Sequence, residues 1–210
     1  MPAFVMLTGS PLKLNKLSNR IGFGYMSILV VTDIFGLCRS TDKLFSYLKT
    51  YSSDVFIIEP YQGERYSFEN ENDAYKAFIN KCGHDNYLDL TKESIARLKP
   101  KYIIGFSAGA SAVWRLSGLE NTDCEGMLGF YPTHIRNHLD ITPKISMNLI
   151  FPFSEESFDV KRVSDHVSLS QNVTSELTSY NHGFMNQNSK AYSAKAYRYG
   201  INAIEKRLNL

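Results

Sequence analysis

Cysteine is scarce in this sequence: Cys38, Cys82 and Cys124 are its only three, scattered and without the paired spacing of a metal site. That usage fits reduced thiols in a cytosol-like compartment, so a cytoplasmic protein is expected. No apolar run approaches the length of a membrane span, and no membrane partner is expected. The first residues, MPAFVMLTGSPLKLNKLSN, lack a charged segment ahead of their short apolar patch, so no secretory leader is expected. Basic charge is not concentrated either: the net charge is +2, with no basic stripe, which argues against nucleic acid. Repeats and low-complexity tracts are missing. So is a phosphate-cradling G-x-G-x-x-G, which fails at every glycine pair, Gly22-Phe23-Gly24 included. No cofactor is implied. What remains is an ordinary soluble composition, 43% apolar and 21% charged over 210 residues, enough chain for one domain spanning 1–210 with a real core.

Along the chain, residues 1–27 are the least readable. Phe4–Leu7 could be an edge strand, and Asn19–Ser27 a turn or a second short strand. From Ile28 the pattern firms. Ile28–Thr32, Val55–Ile58 and Tyr102–Ile104 read as short buried strands, and Gly126–Phe130, Ile145–Phe151 and Val173–Leu177 as further strands. Helices are expected over Ser40–Tyr51, capped by Ser40 or Thr41, then over Asn72–Ile79 and over Thr91–Leu98 with Thr91 as cap. Others are expected over Ala110–Leu116, Phe158–Leu169 and Tyr192–Leu208, and one turn of helix within 132–140. Strands alternating with helices predict an α/β fold, a mostly parallel sheet covered by helices on both faces. In such a sheet the site lies at the carboxyl ends of the strands. Thr32–Gly36, Ser107, Ser154–Asp159 and His182 all fall just after a predicted strand end.

The most informative stretch is Lys101–Ser117, KYIIGFSAGASAVWRLS. An apolar strand runs into Gly105-Phe106-Ser107-Ala108-Gly109, a G-x-S-x-G turn, and then into a buried helix. A serine on a strained strand-to-helix turn points its hydroxyl away from the sheet, and small residues two before and two after it let strand and helix pass closely. Free N–H groups at the helix start are aimed at the oxygen. The other reading is a plain strand–helix turn.

A serine hydroxyl becomes nucleophilic only beside a base, usually a histidine oriented by a carboxylate, in the chain order serine, acid, histidine. Of His84, His134, His138, His166 and His182, only His182 follows the last strand and precedes the terminal helix. His134 and His138 stand four apart, but without a flanking metal-ligand pattern; no metal is expected there. His84 and His166 read as surface residues. The acid should follow the Ile145–Phe151 strand, where Glu155, Glu156 and Asp159 are candidates. An oxyanion would be met by the Ala108 N–H and by one from the Asp33–Gly36 loop.

Taken together, Thr32-Asp33-Ile34-Phe35-Gly36, Gly105-Phe106-Ser107-Ala108-Gly109 and His182-Gly183-Phe184 resemble the dienelactone hydrolase family of the α/β-hydrolase fold, from about Ile28 to the C-terminus. The resemblance implies that fold without a large lid, with Ser107 as nucleophile, His182 as base, and Ile34 and Ala108 as the oxyanion hole. Asp33 takes the place of a family carboxylate beside the nucleophile, with Phe35 next to the substrate. An ungapped alignment of SMNLIFPFSEESF puts Glu156 at the triad acid. This chain departs from the family in three places. Ser107 replaces a cysteine. Glu156, or Ser157 if the register slips by one, replaces an aspartate. Asn186 replaces an arginine that holds a substrate carboxylate. The expectation is a small serine hydrolase acting on a small-molecule ester or thioester, as a monomer or weak homo-oligomer. The alternative is a hydrolase-like scaffold that binds a ligand or partner without turnover.

Overall fold

The computed structural model describes residues 26–120 and 123–210. The expected edge strand at Phe4–Leu7 and all but the end of the expected turn at 19–27 lie outside them. Among the described residues six strands form one sheet: β1 (Ser27–Val31), β2 (Asp54–Ile58), β3 (Tyr102–Phe106), β4 (Gly126–Phe130), β5 (Met147–Phe151) and β6 (Val173–Leu177). All pairings are parallel, in the order β2-β1-β3-β4-β5-β6. The helices are α1 (Arg39–Leu48), α2 (Glu71–Lys81), α3 (Gly83–Leu98), α4 (Ala108–Leu116), α5 (Val160–Val167) and α6 (Ala194–Leu208). A single 3₁₀ turn, His134–Asn137, stands between β4 and β5. No described helix is long and apolar enough to cross a membrane.

The continuous apolar runs are explained by the two-sided core. Successive strand residues point to opposite faces. Leu29, Val31, Ile103, Met127, Leu149 and Phe151 meet Phe78, Tyr87 and Ile95, the Trp114 ring and the Val160/Val163/Val167 stripe, from α2 to α5. Ile28, Val30, Ile104, Leu128, Phe130 and Ile150 meet Leu44 and Leu48 of α1 and Ala196, Ile204 and Leu208 of α6.

Two helix starts differ from expectation. Helix α3 begins at Gly83, two turns before Thr91; Thr91 is fully buried inside it and donates its hydroxyl to the Tyr87 carbonyl at 2.7 Å. Helix α1 is entered through Cys38, because the Ser40 and Thr41 hydroxyls serve tertiary bonds. Ser40 accepts from the Gln187 N–H at 2.7 Å, and Thr41 donates to the Gly36 carbonyl at 2.7 Å.

The strand order reverses between β1 and β3. The chain steps from β1 outward to β2, then returns to the other side of β1. At such a switch point the loops after the two central strands part and leave a crevice. Here they are the loop after β1, Thr32–Gly36, and Ser107 after β3. One wall of the crevice is closed by His84, at the α2–α3 corner, stacked on His134 with ring centroids 3.9 Å apart and planes 4° from parallel. His84 is therefore half-buried, not a surface residue; His166 is exposed as expected.

Two outcomes test this packing. A Cβ on Gly109 would lie 2.4 Å from the carbonyl oxygens of both Val31 and Thr32. Alanine gains about 1 kcal/mol of helix propensity, but overpacking against sheet backbone that cannot yield costs about 1–3 kcal/mol. Gly109→Ala should lower the stability read from urea unfolding; a stability equal to wild type would contradict the close approach. The second concerns acid. Burial first, then His134 and Arg115, lower the His84 pKa from 6.5 to about 4. A depressed pKa gives stability that is present above pH 6.5 and lost as pH falls through about 4. His84→Phe keeps a ring in the stack, so its thermal midpoint should fall less than that of wild type between pH 6.5 and 4.

Candidate active site

The G-x-S-x-G segment does what its glycines allow. Gly105 faces the backbone of Ala110, where a Cβ would lie 2.7 Å from the Ala110 Cα, and Gly109 faces the end of β1. Between them Ser107 sits at φ 50°, ψ −111°, a conformation that costs a non-glycine residue roughly 1–3 kcal/mol. Its N–H donates to the Phe130 carbonyl of β4 at 2.9 Å, and its own carbonyl accepts from the Ser111 N–H at 3.0 Å, the first helical bond of α4. The turn is thus over-determined from both sides, and Oγ is left free to face the crevice.

His182 arrives from the loop after β6. Ser107 Oγ and His182 Nε2 are 2.9 Å apart. On the other side of the ring, His182 Nδ1 is 2.6 Å from Glu155 Oε1. The two loops meet because β5 and β6 stay tied past their ends. The Thr178 N–H donates to the Phe151 carbonyl at 3.1 Å, and the Phe153 N–H to the Tyr180 carbonyl at 2.6 Å. Tyr131 packs against the His182 ring from below, with centroids 4.9 Å apart.

The carboxylate on His182 is Glu155 and not Glu156, the residue that the ungapped alignment selects. Glu155 stands two residues beyond the Phe153–Tyr180 bond, and it is the side chain at that place that reaches the ring. Glu155 is largely buried, its side chain 12% exposed, while Glu156 is exposed. Asp159 is spent elsewhere: it caps α5, accepting from the Arg162 N–H at 3.0 Å.

Thr133 is a site residue that the sequence pattern did not single out. Its hydroxyl lies 3.2 Å from His182 Nδ1 and 3.3 Å from Glu155 Oε1, so it braces the pair. The rule that site residues follow strand ends could have found it, since it stands three residues after β4. The loop that holds it is in turn bonded to the elbow helix, by the His134 N–H to Ser111 Oγ at 3.1 Å and by Trp114 Nε1 to the His138 carbonyl at 2.7 Å.

Asp33, Ile34, Phe35, Ser107, Ala108 and His182 border one cleft of about 400 Å³, together with the more distant His84, His134 and Arg136. Ala108 is the first residue of α4, so its N–H has no intrahelical acceptor. The Asp33–Gly36 turn closes with the Gly36 N–H donating to the Asp33 carbonyl at 3.1 Å, and Tyr61 Oη holds the Ile34 carbonyl at 2.5 Å. Asp33 itself is buried, which raises its carboxyl pKa; the Asn186 amide and the Phe35 N–H oppose that rise. His134 and His138 have ring centroids 5.2 Å apart, and among the described residues no three His, Cys, Asp or Glu side chains converge as a metal would need. The arrangement can take a proton from a serine hydroxyl, store it on an imidazole steadied by a carboxylate, and offer backbone N–H groups to developing negative charge.

Comparison with known proteins bears on the family and the fold. The model of the dienelactone hydrolase family matches residues 22–208. Uncharacterized protein YczH of Bacillus subtilis is 26% identical over 169 residues, which cover 77% of this chain and 82% of that protein. Among solved structures, a dienelactone hydrolase candidate from Klebsiella pneumoniae has a TM-score of 0.67 at 17% identity, over 91% of this chain and 89% of its own. A dienelactone hydrolase-like promiscuous phosphotriesterase from metagenomic libraries has a TM-score of 0.59 at 14% identity, over 88% and 85%. These neighbours share the α/β-hydrolase fold with the six-stranded parallel sheet described above. The chain belongs to the dienelactone hydrolase family and is, with it, a hydrolase.

Proposed function

We propose that this protein is a serine hydrolase that cleaves a carboxylic ester or thioester through an acyl-serine intermediate. The observation that carries the reading is the unbroken relay from Ser107 Oγ to His182 Nε2 at 2.9 Å and from His182 Nδ1 to Glu155 Oε1 at 2.6 Å, mounted on a strained turn. Ser107 Oγ attacks the carbonyl carbon while His182 Nε2 takes its proton. Glu155 holds the Nδ1–H tautomer and stabilises the imidazolium. The tetrahedral oxyanion is met by the Ile34 and Ala108 N–H groups. His182 then returns the proton to the leaving alcohol or thiol. In the second half water, deprotonated by His182, attacks the acyl carbon, and Ser107 leaves with the proton back on Oγ.

A carboxylate on His182 supports the reading with turnover over a hydrolase-like scaffold that only binds. Asn186 stands where the family holds a substrate carboxylate with arginine, and its amide is already bonded to Asp33 at 2.7 Å. Dienelactone itself is therefore a poor candidate, and an uncharged ester sized to the cleft is the better one. The sparing cysteine usage, with Cys38 a buried thiol, suits the reducing cytoplasm where we place the enzyme.

Ser107→Ala removes one hydroxyl and no packing, so the fold should persist. Hydrolysis of p-nitrophenyl acetate should fall by roughly 10⁴-fold or more, and fluorophosphonate labelling should vanish. Turnover within a few-fold of wild type would sink the assignment. Glu155→Gln should lower kcat by roughly 10²- to 10⁴-fold with little change in KM, because an amide cannot stabilise the imidazolium. Glu156→Gln should stay within a few-fold of wild type; the opposite ranking would return the acid to Glu156.

A further inference from the structure

We infer that Asp33 and Asn186 form a clasp between two loops that keeps the oxyanion loop in register with the histidine loop. Both are then positioning residues for the reaction proposed above, on which this inference rests. The two oxygens of one carboxylate are divided between loops 153 positions apart in sequence. Oδ1 accepts from the Phe35 N–H at 3.0 Å and so shapes the turn that contains Ile34. Oδ2 accepts from Asn186 Nδ2 at 2.7 Å. Asn186 lies four residues beyond His182 and closes that turn, its N–H donating to the Gly183 carbonyl at 2.8 Å. Its Oδ1 in turn accepts from the Asn188 N–H at 2.9 Å, which fixes which end of the amide faces Asp33.

The cost of the arrangement argues for its purpose. Asp33 is 7% exposed and Asn186 4%, among buried groups. A carboxylate taken out of water is costly unless both oxygens are bonded, and apolar side chains of similar size would pack there more cheaply. Burial drives the Asp33 pKa up, while its two donors pull it back. A further stitch runs the same way: the Gln187 N–H donates to Ser40 Oγ at 2.7 Å, tying the histidine loop to the start of α1. What these bonds fix is the place of the Ile34 N–H relative to Ser107 and His182. An error of about 1 Å in such a constellation costs about 10²-fold in rate.

The bond can be broken and remade by exchange. In Asp33→Asn the new amide must turn its NH₂ toward either the Phe35 N–H or the Asn186 NH₂, so one donor always faces another. In Asn186→Asp two carboxylates face each other. In the double variant D33N/N186D the new amide donates to the new carboxylate, and its oxygen still accepts from Phe35. Each single variant should lose roughly 10- to 100-fold in kcat on p-nitrophenyl acetate, with KM within about three-fold and fluorophosphonate labelling slowed in parallel. Hydrogen exchange should rise together in residues 34–36 and 182–186. The exchange variant should recover to within about five-fold of wild type, and both segments should regain protection. A single variant that fails to fold beside a folded, active exchange variant also supports the clasp. Single variants with wild-type kcat overturn it, as does an exchange variant no better than either single. Wild-type protein that neither labels nor hydrolyses the ester would instead overturn the serine-hydrolase reading, and the catalytic role of the clasp with it.

Discussion

Helix α4 lies so close to the ends of β1 and β3 that no side chain fits between them. At Gly109 the clearance to the Val31 and Thr32 carbonyl oxygens would be 2.4 Å for a Cβ. That approach dictates the shape of the elbow. A chain that leaves β3 and must enter a helix pressed against β1 has almost no length in which to turn, so Ser107 takes a positive φ and its hydroxyl stands clear of the sheet. The strain of roughly 1–3 kcal/mol is held by packing elsewhere, with Trp114 and Val113 of the same helix almost wholly buried. The same approach puts the first N–H groups of α4 beside the loop after β1, at the place where the strand order reverses.

The second half of the site depends on strand pairing, not on a tight turn. Because β5 and β6 are neighbours and remain bonded as far as Phe153 and Tyr180, the loops beyond them leave the sheet side by side. Glu155 and His182, each two residues beyond that last bond, therefore meet. The carboxylate also gains a second acceptor role, toward the Thr133 hydroxyl, from the loop after β4. Three successive strand ends thus build the base and its supports, while the first and third strands in chain order supply the serine and the turn opposite it.

Legibility in the sequence tracked how local each cause is. The strands of the sheet centre were readable because burial on both faces leaves continuous apolar runs; Gly126–Phe130 is a strand with the expected bounds. Ser107 was readable because the elbow is a local conflict that only small neighbours resolve. Helix starts were less so. Thr91 has the composition of a cap but sits mid-helix, and Ser40 and Thr41 are claimed by Gln187 and Gly36. His84 looks like a solvated residue until its partner, fifty positions away, is brought over its face. The carboxylate that meets His182 lies one residue from the one an ungapped count selects, and nothing in the residues SEES themselves tells Glu155 from Glu156.

The charges around the serine make a consistent set. Two carboxylates, Asp33 and Glu155, border a place where negative charge would develop on the substrate oxygen, which taken alone would oppose the proposed reaction. Each is turned away from that task by its partner. Glu155 faces the ring that would become cationic at the same moment, so its charge would act with the proposed reaction. Asp33 has no cation among its bonded partners; its oxygens are met by a peptide N–H and a side-chain amide, neutral dipoles that hold the charge in place without cancelling it. An arginine at position 186 could neutralise Asp33 or release it to hold an anionic substrate. Asparagine can do neither, and its own oxygen is taken by Asn188. Charge on Asp33 is therefore not cancelled from position 186, and it weighs against a substrate that carries its own carboxylate into that side of the cleft.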